Sequence, residues 1–149
     1  MKLQLRLTLL FLGVLFIFFM GCKKPDHGRP VTIVATNLEV SAPGTLTGTF
    51  TASGAFNSSG THVMLVEPLG TDSIQCETTF TAPEGTFLML MKCEAPPMMS
   101  GAWKIVRGTG AYKFLRGNGP LTMMFPPDPS VPAGALGVET MTGVAWLHP

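Results

Sequence analysis

The chain reads as an all-β protein, a small eight-stranded antiparallel β-barrel behind an export segment. Three observations predict this. Threonine and glycine are abundant (17 glycines), while charged residues make up only 13% of the chain, against about 25% in a typical globular domain. Short β-like runs recur at intervals of about ten to fifteen residues, each bounded by turn residues. No stretch beyond the first 21 residues holds a helical period over three turns. Eight strands in so short a chain suit a closed barrel or an eight-stranded sandwich.

The first element is not part of that fold. Lys2 and Arg6 precede an uncharged apolar run, Leu7 to Met20, which Gly21-Cys22 closes before the polar Lys23-Lys24-Pro25-Asp26. A membrane-spanning helix needs roughly 20 apolar residues, so the run is too short to span and suits an export signal. Residues 1–21 resemble a bacterial lipoprotein signal peptide, which implies cleavage before Cys22 and lipidation of that cysteine. Phe19 stands where such signals usually carry a small aliphatic residue. The resemblance implies a lipid-anchored protein of the bacterial cell envelope whose first partner is the membrane. The outer membrane is expected, on its periplasmic or its surface face, and the sequence does not reveal which leaflet holds the lipid. Residues 22–30 are then the lipidated cysteine and a short polar tether, and residues 31–149 form the barrel domain.

A domain of that length buries about two-thirds of its unfolded surface, enough for a real core. The chain has ten basic and nine acidic residues. Without Lys2 and Arg6 the balance is eight against nine, and no run of basic residues appears, so nucleic acid is not expected as a partner.

Strands are expected near Val31–Glu39, Thr45–Phe56, Thr61–Glu67, Ser73–Ala82 and Thr86–Glu94. Three more follow near Ala102–Arg107, Pro120–Phe125 and Val138–Leu147. Thr45–Phe56 is long, and Gly54 suggests a bulge or bend inside it. Of two proline-rich loops, Ala95–Gly101 and Phe125–Leu136, the second is expected to cross one end of the barrel.

With Cys22 lipidated, Cys76 and Cys93 form an even pair in an oxidising compartment. A two-residue loop at Glu84-Gly85 sets them directly opposite on adjacent strands, with Cα atoms roughly 4.5–5.5 Å apart, within disulfide range. The same register pairs Phe80 with Met89, Thr78 with Met91 and Glu77 with Lys92. A Cys76–Cys93 disulfide is therefore expected.

Residues 103–122 carry the one extended motif. A strand ends in Gly108-Thr109-Gly110, Tyr112 follows, then Leu115, and Gly117-x-Gly119 opens the next strand. Paired glycines permit a tight reversal where side chains would clash, and the excursion places Tyr112 and Leu115 over the barrel end. This block resembles the GTG-aromatic-x-x-Leu-x-Gly-x-Gly signature of allene oxide cyclase-like and dirigent-like β-barrels. The resemblance implies barrel architecture, and no functional residue of those families aligns with this chain.

Catalytic signatures are missing from the sequence: no Gly-x-Ser-x-Gly, His-Glu-x-x-His, Cys-x-x-Cys or phosphate loop is present. His27 lies in the tether, His62 at a strand start and on the rim, and His148 at the C-terminus. Glu39, Glu67 and Glu77 lie on or beside strands, where an inward carboxylate would have a raised pKa. Met89, Met91, Met98, Met99, Met123, Met124 and Met141, with His62-x-Met64, offer soft Cu(I) ligands. A flexible apolar core explains the same methionines more simply, so no metal and no cofactor is assigned. The leading expectation is a non-enzymatic, lipid-anchored barrel whose interior or rim takes a small apolar ligand near Phe80, Met89, Met91, Tyr112 and Glu67. A filled barrel acting through its loops is the alternative. A cyclase or isomerase is the third, resting on fold analogy and needing Tyr112 or Glu67 in an open cavity.

Overall fold

The computed structural model describes residues 28–71, 73–94 and 100–147. Signal residues 1–21, Cys22, the tether to His27, and Ala95–Met99 lie outside the described residues. Eight antiparallel strands close into a barrel in chain order: β1 (Arg29–Ala42), β2 (Thr45–Gly54), β3 (Ser58–Pro68), β4 (Ser73–Ala82), β5 (Gly85–Glu94), β6 (Ser100–Gly108), β7 (Leu115–Met124) and β8 (Gly137–Leu147). β8 returns to pair with β1, from Arg29 opposite Ala145 to Asn37 opposite Gly137. Closure leaves no free sheet edge.

Alternation decides which side chains enter. Ile33, Phe50, Met64, Phe80, Met89, Met91, Ile105, Leu121 and Met141 point inward and are buried. Thr49, Thr51, Thr61, Thr79 and Thr81 point outward and are exposed. The interior is mostly apolar, while the outward threonines share the wall with exposed Leu38, Val40, Val63 and Leu65.

Tight turns follow residue chemistry. Pro43-Gly44 joins β1 to β2, with Gly44 at φ +72. Gly54, at φ +104, ends β2 instead of bending it, and Ala55 N donates to Pro30 O at 2.7 Å. β7 begins at Leu115, five residues before Pro120, because the excursion after Gly108 is only a single 3-10 turn over Gly110–Tyr112.

The β4–β5 register differs from expectation. Pro83 and Glu84 form the loop and Ala82 pairs with Gly85, as proline at the second and glycine at the fourth turn position favour. The slip is two residues, so every side chain keeps its face while its partner changes. Phe80 faces Phe87, Thr78 faces Met89, Glu77 faces Leu90, and Gln75 faces Lys92. Cys76 faces Met91 and Cys93 faces Ile74, so the expected disulfide is replaced by two free, buried thiols. Burial, foremost, pushes them up to about 12 for Cys76 and about 11 for Cys93. Intact mass after export is expected to be insensitive to reductant, with both thiols alkylated only once the chain is unfolded. A mass gain of two hydrogens on reduction would overturn this register.

Two ends differ in their closure. At the proximal end, where residue 28 enters and β8 ends, Phe80 and Phe87 stack at 4.7 Å, Phe50 meets Phe80 edge-on at 5.0 Å, and Phe56 and Tyr112 lie above. Tyr112 Oη donates to Ser58 Oγ at 2.9 Å. Thr109 fixes this plug: its hydroxyl accepts from Thr86 N at 3.0 Å, and its own N–H donates to Thr86 O at 2.8 Å. Gly110, at φ +56, lies so close to Glu84 that a Cβ there would come within 2.3 Å of its carbonyl oxygen. At the distal end the loop 125–136 folds back, Leu136 N donating to Asn37 O at 2.8 Å and Ala135 buried.

Trp103 explains the second half of the Gly108–Gly119 motif. The β7–β8 ladder stops after Asn118–Val144 and resumes at Leu121–Met141. Trp103 Nε1 donates into this gap, to Pro120 O and Thr142 O, both at 2.9 Å. Gly117 and Gly143 clear its ring: a Cβ on Gly143 would lie 2.9 Å from Trp103 Cζ2.

Candidate functional site

The interior holds one polar constellation, on β1, β3 and β8. Asn37, His62 and Glu139 are each at most 2% exposed. His62 is thus an inward wall residue opposite Gly48 and Phe80, not the rim residue its sequence position suggests. It fits because Gly48 contributes no side chain, and a Cβ there would lie 2.9 Å from the imidazole Cε1.

Asn37 links the other two. Its Nδ2 donates to Glu139 Oε1 at 2.9 Å, and its Oδ1 lies 2.9 Å from His62 Nε2. A carboxamide oxygen only accepts, so this arrangement assigns the proton to Nε2. His62 Nδ1, Glu139 Oε2 and Thr78 Oγ1 are left without hydrogen-bond partners. Burial pushes Glu139 up to about 7, partly opposed by the Asn37 hydrogen bond, which favours the carboxylate. Burial lowers His62, with the Thr49 backbone opposing. Both groups are therefore held toward their neutral forms.

Sulfur fills the neighbouring space. Cys93 Sγ donates to Met123 Sδ at 3.7 Å, reaching from β5 past β6 to β7. Among the described residues no group of three or more His, Cys, Asp or Glu side chains is arranged to hold a metal ion.

Residues expected around an apolar ligand do not form one site. Phe80, Met89 and Met91 are packed core. Tyr112 belongs to the proximal plug. Glu67 is exposed on the outside of β3, because it is an odd number of residues from inward Met64. The carboxylate that does enter the barrel is Glu139, which sequence reasoning passed over. Alternation in Gly137-Val138-Glu139-Thr140-Met141 puts Glu139 on the Met141 face, a signal the sequence did contain.

No family model, curated protein or solved structure matches this chain.

Proposed function

We propose that the protein is a lipid-anchored barrel of the bacterial cell envelope, held through Cys22, that works as a solid scaffold and presents its outer surface and loops. The filled interior is the observation that carries this reading. Phe80, Phe87, Met64, Met89, Met91, Ile105 and Met141 occupy the barrel axis at no more than 1% exposure, and close-packed side chains leave no room for a drug-sized ligand. Among the described residues, clefts open at the ends and on the wall, such as that beside Thr79, Leu88 and Arg107. A likeness to allene oxide cyclase-like and dirigent-like barrels supports the architecture within this proposal and adds no activity to it.

Native mass spectrometry of the full-length protein, released gently from detergent, tests the reading. The expected spectrum holds protein plus acyl groups and nothing else. A stoichiometric organic adduct that survives desalting would overturn the solid scaffold in favour of a carrier. An unacylated Cys22 would overturn the anchor.

A further inference from the structure

The fold segregates charge that is scattered in the sequence. Four basic residues, Arg29, Arg107, Lys113 and Arg116, lie at the proximal end, with Glu84 the single acidic residue there among the described residues. Toward the distal end lie Glu39, Glu67, Glu94 and Asp128, with Lys92 the single basic residue there among the described residues; Lys104 and Glu77 lie midway along the wall. Hairpin topology produces this: Arg29 and Arg116 open β1 and β7, Arg107 ends β6, and Lys113 rides the loop between β6 and β7.

The basic end also exposes apolar side chains. Phe114 and Leu147 are 42% and 41% exposed, and Lys113 Nζ sits 5.2 Å from the Phe114 ring centre. Trp146 is half-buried and pairs with Arg116 across β7–β8. Between Arg29 and Trp146 opens a cleft of about 270 Å³ floored by Leu115 and Ala145. Cations around exposed aromatic and aliphatic side chains form the chemistry of an interfacial lipid contact.

We propose that the proximal end is a docking face for an anionic phospholipid surface, and that it sets the barrel upright on the membrane with its acidic end outward. Two observations select this occupant. Charge is complementary to a phosphate-rich surface, and residues 1–27 join the barrel at this same end, so a lipid on Cys22 lies within a short tether of it. The orientation rests on the Cys22 anchor; the affinity of the face does not. A single tether leaves the barrel free to tumble, and electrostatic attraction acting within about 8 Å of the surface removes that freedom.

Trp146 reports the contact, because the other tryptophan, Trp103, is sealed in the core. Full-length protein is reconstituted into phosphatidylcholine vesicles with and without phosphatidylglycerol, each carrying nitroxide-headgroup phosphatidylcholine as quencher. Quenching is expected to be about twofold or more stronger with phosphatidylglycerol, and to return to the neutral-vesicle level in high salt. Arg107→Glu/Lys113→Glu should abolish the difference, while Lys92→Glu at the distal end should preserve it. Equal quenching in both vesicles, or indifference to salt, would overturn the docking face even if the double variant failed to fold. Flotation separates the two readings. Protein that floats only with anionic vesicles supports the docking face and overturns the anchor; protein that floats with neither overturns both.

Discussion

Replacing Trp103 by alanine is expected to cost about 3–5 kcal/mol of stability, the range for removing a buried large aromatic. Its indole fills space that Gly117 and Gly143 vacate, and its N–H is the donor that reaches two carbonyls in the broken β7–β8 ladder. Trp103→Phe separates these contributions. Phenylalanine retains most of the packing but leaves Pro120 O and Thr142 O without that donor, a loss of about 1 kcal/mol for a partly buried hydrogen bond. Denaturant unfolding followed by circular dichroism measures both. A phenylalanine variant as stable as the parent would show that water or a local shift satisfies the carbonyls, and that packing alone holds the gap closed.

The contribution of Glu139 to stability is expected to fall as pH rises from weakly acidic to mildly alkaline. In the folded barrel its carboxyl keeps its proton up to about pH 7, while the ordinary value is 4.5. The folded state therefore binds more protons than the unfolded chain across that window. Its contribution is whole below 4.5 and is lost as pH rises through about 7, a loss of about 3 kcal/mol. His62 acts in the opposite sense. Its lowered pKa gives stability that is present above its ordinary 6.5 and lost as pH falls. Where the two windows overlap, below 6.5, the two effects oppose each other, and the net fall is confined to the rise from 6.5 to about 7. Glu139→Gln keeps an acceptor for Asn37 and removes the ionisation. It is expected to be more stable than the parent at about pH 8, by about 1–3 kcal/mol, and no more stable at about pH 5. Urea unfolding of both proteins at the two pH values decides this. A variant destabilised equally at both would mean that the carboxylate is a structural acceptor and that its titration is not linked to folding.

These two residues show how legibility varied along the chain. Trp103 stands in a motif whose glycines announced a barrel turn, but its role needs β6, β7 and β8 side by side. Sequence alternation named Phe80, Met89 and Met91 as inward residues, and two-residue slippage at Pro83-Glu84 left those faces intact. The same slippage separated Cys76 from Cys93, since a disulfide depends on register and a face does not. His62 and Glu139 were misjudged or missed because polar residues are ordinarily outward. Gly48, which makes room for the imidazole, is a cross-strand neighbour 14 positions earlier in the chain.

By itself the sequence determined the strand count, the antiparallel order and the inward faces, because these rest on local propensity, turn chemistry and a period of two. Loop 125–136 and the Tyr112 plug were legible for the same reason, their prolines and glycines acting locally. Tertiary structure alone decided the Asn37–His62–Glu139 chain and the Trp103 bridge. It also decided the gathering of Arg29, Arg107, Lys113 and Arg116 at one end. Each brings together groups from three or more strands, and the Asn37–His62–Glu139 chain also needs the β1–β8 closure, which a strand-by-strand period does not specify.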